Sequence, residues 1–236
     1  FMLVHPNEGR DPAFVDYREK APLASTEDMY IDGGSRKNHR WVGVPGTVAG
    51  FVLAHEQFGT LPWEDLVMPS VRLAEDGFVL KSLAQGLNRA VERSENDEFK
   101  RVYGKGGETQ LWQASDRLVL SDLGSTLRRI ARWGNDGFYV GETADLLVTE
   151  MVRGDGYITQ NDLSSYAAVI REPIRTTFRG NEIFSAPPPS SGGIALTIML
   201  GILENFDLKS KGRWSPETVH VIIESMRPTR GHSHYE

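Results

Sequence analysis

The 236-residue sequence contains no cysteine. Disulfides, thiolate nucleophiles and Cys-ligated zinc are thereby excluded, while the compartment stays open, because exported proteins can also lack Cys. Long hydrophobic runs are missing as well: the most apolar stretch, Ile194 to Leu203, is half the ~20 residues a membrane span needs. No basic block appears, and Asp and Glu outnumber Lys and Arg to leave a net charge of −6. Phosphate affinity rests on clustered Lys and Arg, so this balance argues against a nucleic-acid binder. No signal-peptide pattern opens the chain. What is present, 39% hydrophobic and 25% charged residues, is the make-up of a soluble globular protein with a sizeable core. Phe1 precedes Met2, and the apolar run Phe1-Met2-Leu3-Val4 reads as a buried strand already under way, in a piece of a longer polypeptide.

Turn formers from His5 to Pro12 separate that run from a second strand, Ala13 to Tyr17, and predict a hairpin. Residues Ala24 to Trp41 are polar and aperiodic around Asp32-Gly33-Gly34-Ser35, as in a surface loop. A helical half follows. Thr47 is predicted to cap a helix through Phe58, closed by Gly59 in the left-handed region. Pro62 opens a second helix towards Gly77, which Pro69 should kink or break. Ser82 to Glu95 is a third. Ser121 or Asp122 starts a fourth, whose Leu123, Leu127 and Ile130 share a face before Gly134. A fifth runs from about Glu142 to Val152, and Thr159 with Asp162 makes a capping-box start to a short sixth. β character then returns in Ile174–Phe178 and Glu182–Ser185, which flank a turn at Arg179-Gly180-Asn181. The loop Pro187-Pro188-Pro189-Ser190-Ser191-Gly192-Gly193 leads into an apolar helix, Ile194 to Phe206. Ser215-Pro216-Glu217 starts the last helix. Without internal repeats or low-complexity tracts, residues 1–236 read as one α+β domain.

Most candidate chemistry has a plainer explanation. His232-Ser233-His234-Tyr235-Glu236 could aim two imidazoles and a carboxylate at a metal, but a chain end without a third convergent ligand usually frays. Ser190 and Ser191 have no neighbouring base and no Gly-x-Ser-x-Gly context, so they shape a loop. Gly104-Lys105-Gly106-Gly107 lacks the Walker spacing and reads as a turn. Gly43-Val44-Pro45-Gly46-Thr47 could offer N–H groups to an anion, and is more simply a turn and cap. Arg18, at a strand end beside a loop, suits two-pronged capture of a carboxylate; on local sequence alone, a solvated charge paired with Glu19 is the better explanation.

Several separated stretches, in one order, carry a more specific signal. Asp16-Tyr17-Arg18-Glu19-Lys20-Ala21-Pro22 and Val44-Pro45-Gly46-Thr47-Val48-Ala49-Gly50-Phe51 resemble signatures of the γ-glutamyltranspeptidase family. Gly59-Thr60-Leu61-Pro62-Trp63, Leu73-Ala74-Glu75-Asp76-Gly77-Phe78, Ile158 to Leu163 with Tyr166, and above all Pro187 to Gly193 are similar to that family too. The resemblance runs from Phe1 to about Arg227. Beyond it, residues 228–236 form an atypical tail, where Pro228 and Gly231 are poor helix continuations.

The resemblance implies an N-terminal-nucleophile hydrolase, an α/β/β/α sandwich cut from one precursor into two subunits, with this chain as large-subunit portion. The nucleophile would be a threonine at the start of the small subunit, in a Thr-x-His-type motif outside this chain. No catalytic residue is therefore assigned here, and the chain alone is expected to be inactive. What carries over is Arg18, as the holder of the α-carboxylate of the γ-glutamyl group. The implied activity is γ-glutamyl transfer to water or amino acids from donors such as glutathione, with no metal or organic cofactor, in a bacterial periplasm or exterior. Alternatives are a related acylase for glutaryl amides or poly-γ-glutamate, and a non-catalytic fragment acting as a binding module.

Overall fold

In the computed structural model, which describes residues 1–7, 9–31, 39–107 and 110–232, the turn formers after Val4 reverse the chain. They pair β1 (Met2–Val4) with β2 (Ala13–Asp16) antiparallel, Met2 opposite Val15. A third strand, β5 (Val169–Arg171), joins the other side of β2, with Asp16 opposite Val169. The expectation of a buried first strand is corrected: β1 is the sheet's edge and leaves Leu3 43% exposed, whereas Phe14 and Val15 of the central β2 are buried. An edge strand has one covered side only.

The chain divides into two compact units: Phe1–Lys20, Pro45–Phe58 and Ala167–Glu236 make one, Ala21–Val44 and Gly59–Tyr166 the other. In the first, α1 (Thr47–Phe58) packs against β2. Strands β6 (Ile174–Phe178) and β7 (Asn181–Ser185) form a hairpin. Arg179 at φ 51° and Gly180 at φ 77° close it, the geometry of a two-residue turn that matches strand twist. Helix α9 (Ser191–Leu203) lies on β6 and α11 (Pro216–Met226) on α9, with the short α10 (Leu208–Lys211) between them in sequence. The Ser215 side chain caps α11 by accepting the Thr218 N–H at 3.1 Å. Past Met226 the chain tightens into a 3-10 helix, Arg227–His232, because Pro228 supplies no N–H to continue the α ladder.

The second unit is built on α2 (Trp63–Glu75) and α5 (Ser121–Trp133), which pack together while the Trp63 indole donates to the Ile130 carbonyl at 2.9 Å. Pro69 does not break α2, which continues through it. Burial of Val71 and Ala74 on the same helix outweighs one missing hydrogen bond. Gly59 does not take the left-handed conformation after α1; Gly134 (φ 55°) after α5 and Gly212 (φ 86°) after α10 do. Helices α3 (Leu83–Arg93) and α4 (Asp97–Tyr103) pack with the two-residue strands β3 (Phe78–Val79) and β4 (Arg117–Leu118) around Leu80, Ala84 and Leu118. Next come α6 (Asp136–Tyr139), α7 (Glu142–Arg153) and α8 (Gln160–Ser164). The predicted capping box starts α8: the Thr159 N–H donates to Asp162 at 2.7 Å and the Asp162 N–H to Thr159 Oγ1 at 3.3 Å. The centre of the predicted surface loop, Asp32 to Ser35, lies outside the described residues. No helix among the described residues is long and apolar enough to cross a membrane.

Candidate functional site

The end of β2 presents four polar or aromatic residues in a row, and the fold uses each differently. Asp16 turns inward and is 7% exposed. Its Oδ1 accepts the Arg18 backbone N–H at 3.0 Å, and its Oδ2 accepts Nε of Arg171 at 2.6 Å. Tyr17 leans on α1: its hydroxyl donates to the Phe1 carbonyl at 2.8 Å and its ring meets Phe51 edge-on at 5.8 Å. The contact with α1 is so close that a Cβ on Gly50 would stand 2.2 Å from the Tyr17 ring. Burial pushes the Tyr17 phenol above its ordinary pKa.

Arg18 shares the Phe1 neighbourhood with Tyr17. Its side chain is 35% exposed, its Nε donates to Glu19 Oε1 at 3.3 Å, and its guanidinium lies 6.0 Å from the centre of the Phe1 ring. Phe1, Tyr17, Arg18, Glu19 and Thr47 line an open cavity of about 350 Å³. Two stretches singled out in the sequence, Asp16 to Pro22 and Val44 to Phe51, thus meet at one cavity, which carries a guanidinium and the first residue of a twelve-residue helix. Both features favour an anion, the guanidinium through paired N–H donors and the helix start through its dipole. Glu19 is 62% exposed, and an ion pair so open to water is weak enough for an incoming carboxylate to replace.

The remaining candidates do other work. Lys105 pairs with Asp116 and sits 5.8 Å from the Trp112 ring, inside the turn expected of Gly104 to Gly107. Pro187 to Gly193 does not line the Arg18 cavity. Ser190 precedes α9 without a side-chain cap, and a Cβ on Gly193 would stand 2.0 Å from the Ala186 carbonyl oxygen, so this motif is shaped by close packing. His234 and Glu236 lie outside the described residues, among which no group of three metal-ligating side chains occurs. A Thr-x-His spacing does occur once in this chain, at Thr218-Val219-His220. It is no nucleophile: Thr218 is 3% exposed inside α11, its N–H bonded to Ser215 and its hydroxyl donating to the Gly212 carbonyl at 2.8 Å.

Sequence reasoning missed Asp16, Arg171 and Phe1 as parts of this site. The Asp two residues before Arg18 was a readable signal, because Asp commonly accepts the N–H two positions on. Arg171 left none, since only strand pairing brings it to Asp16.

Against known proteins, residues 1–234 match the family model described as Gamma-glutamyltranspeptidase. A glutathione hydrolase proenzyme of Pseudomonas sp. (strain A14) is 42% identical over 96% of this chain and 41% of its own length. An acylase ACY 1 proenzyme of Pseudomonas sp. (strain SE83) is 35% identical over 90% of this chain and 40% of its own length. The crystal structure of Helicobacter pylori gamma-glutamyltranspeptidase superposes with a TM-score of 0.93 at 34% identity, covering 99% of this chain and 69% of that one. The chain spans about two fifths of the length of the curated relatives it matches.

Proposed function

This chain belongs to the gamma-glutamyltranspeptidase family, and from that premise we propose that Arg18 binds the α-carboxylate of a γ-glutamyl donor in a gamma-glutamyltransferase or glutathione hydrolase. The mixed helix-and-sheet fold is that of N-terminal-nucleophile hydrolases, and the chain is the large-subunit-like portion. The observation that supports the reading is the half-exposed Arg18 guanidinium on the wall of a cavity shared with the start of α1.

Arg18 does no bond-making. Its fork holds the donor's carboxylate and so sets where the γ-carbonyl lies, a contribution through orientation. A threonine of the small subunit, outside this chain, attacks that carbonyl with its own α-amine as base; an ester forms to the threonine oxygen, the amide C–N bond breaks, and the donor's amine leaves with the proton. Water or an amino acid then takes the acyl group from the threonine. The substrates are glutathione-like γ-glutamyl compounds, the partner is the small subunit of the same precursor, and the location is periplasmic or secreted. A glutaryl-type acylase is the second reading, favoured by the acylase proenzyme that matches the same region.

Kinetics with paired donors test this. Losing one partner of a desolvated charge pair costs about 2–5 kcal/mol, equivalent to thirty- to several-thousand-fold. In the processed full-length enzyme, Arg18→Ala should lower kcat/KM by that factor for γ-glutamyl anilide, and Arg18→Lys should recover part of it. A donor without the α-carboxylate should lose little. Equal losses for both donors would assign Arg18 to the fold, and a change within ~1 kcal/mol would leave only the Glu19 ion pair.

A further inference from the structure

We propose that the Asp16–Arg171 pair is a positioning device that aims Arg18 at the donor's carboxylate, an inference that rests on the role assigned to Arg18 above. The geometry divides one carboxylate between two tasks. Oδ1 takes the backbone N–H of Arg18 at 3.0 Å, and Oδ2 takes Nε of Arg171 at 2.6 Å. The first contact pins the peptide from which the Arg18 side chain leaves, just where β2 ends and ladder hydrogen bonds stop holding the backbone. The second fixes the orientation of the carboxylate. Asp16 is almost wholly buried, and a buried carboxylate is tolerated only when paired and hydrogen-bonded.

Strand register makes the pairing possible. Phe14 stands opposite Arg171 and Asp16 opposite Val169, so Arg171 and Asp16 are diagonal neighbours on one face of the sheet, within reach of a long side chain. Arg171 is 46% exposed and lies on the edge strand, closing over the carboxylate from the solvent side. A two-pronged contact with a substrate carboxylate tolerates little displacement, because misplacement by an ångström can cost about a hundredfold. The anchored backbone of Arg18 thus sets the point from which its side chain reaches the cavity.

The experiment compares Arg18→Ala, Asp16→Ala, Asp16→Asn, Arg171→Gln and the Asp16→Ala/Arg18→Ala double variant in the processed full-length enzyme. Each is assayed with γ-glutamyl anilide and with the anilide lacking the α-carboxylate. Asp16→Ala should raise KM for the carboxylate-bearing donor about ten- to a hundredfold, the range for losing a hydrogen bond to a charged group. The change should sit in KM, with kcat within about twofold, and should spare the other donor. Asp16→Asn keeps one oxygen for the Arg18 N–H but turns an NH2 towards Arg171 Nε, and should recover only part of the affinity. The double variant should be no worse than Arg18→Ala, because the two act as one unit. Equal losses for both donors with Asp16→Ala, or full additivity with Arg18→Ala, would overturn the proposal and leave Asp16 a fold residue. Should Asp16→Ala fail to fold, Arg171→Gln decides: a donor-selective rise in KM supports the device, and no effect or an unselective one overturns it. In each of these failures Arg18→Ala stays donor-selective. If that selectivity is itself missing, the reading of Arg18 has failed, and the device falls with it.

Discussion

Position 50 has no room for a side chain, because the Tyr17 ring fills the space a Cβ would need, 2.2 Å away. Gly86 in α3 is the useful contrast, with nothing within 4 Å of its Cβ position. Gly50→Ala should therefore push Tyr17 off α1 and destabilise the protein by about 1–3 kcal/mol, as overpacking does. Gly86→Ala should be neutral or stabilising by up to ~1 kcal/mol, because alanine restricts the unfolded chain and favours helix. Urea unfolding of the two variants checks both signs. Tyr17 also adjoins Arg18, so Gly50→Ala is expected to weaken donor binding as well. From sequence, Gly50 was legible as one letter of a motif. Its reason was not, because the ring that excludes a side chain is that of Tyr17, just past β2 and more than thirty residues earlier.

Helices were read where a cap and an apolar period coincided. Ser215 before α11, Thr159 with Asp162 before α8, and Gly134 after α5 all act where expected, because each is decided within one turn of chain. Strands β3, β4 and β5 span two or three residues and offered no period to read. Helix α4 does carry a local signal, the Asn96 cap followed by Asp97 and Glu98. The last turn of α7 shows an element pinned by charge. Arg153 first, and then His39, hold the Glu150 carboxyl at about 2, down from an ordinary 4.5. A depressed carboxylate adds stability above its unfolded value and loses it as protons bind. The Glu150 contribution is therefore complete above pH 4.5 and drains away as the pH falls to about 2. Glu150→Gln should lower the Tm near neutral pH, and the gap to the unaltered protein should close across that window. The gap will be small, since the Glu150 side chain is 44% exposed and screened by water. Thermal melts from neutral pH downwards check this; a gap constant with pH would assign the effect to helix propensity instead.

For the molecule as a whole, apolar side chains remain uncovered on both kinds of element. Leu3, Val169 and Ile170 are exposed on the edge strands β1 and β5, and Ile223 and Met226 on α11. Large apolar areas on a soluble protein mark a surface that something else covers. The 236-residue chain expressed alone should therefore self-associate, with a sedimentation coefficient that rises with concentration, and the same sample should release no anilide from a γ-glutamyl donor. A concentration-independent monomer with a sharp, reversible melt would contradict the first expectation, and turnover above a blank the second. Composition, periodicity and caps, all properties of neighbouring residues, were enough to determine an α+β chain without cysteine and the placement of its longer helices. The order of its motifs was enough to determine its family resemblance and to single out Arg18. Only the tertiary structure decided that Tyr17, Arg18 and Glu19 share one cavity with Thr47. It alone brought Arg171 to Asp16 across 155 residues and buried Thr218 of the Thr218-Val219-His220 stretch in a helix. Contacts of that kind are set by strand pairing and packing between distant segments, and no local pattern encodes them.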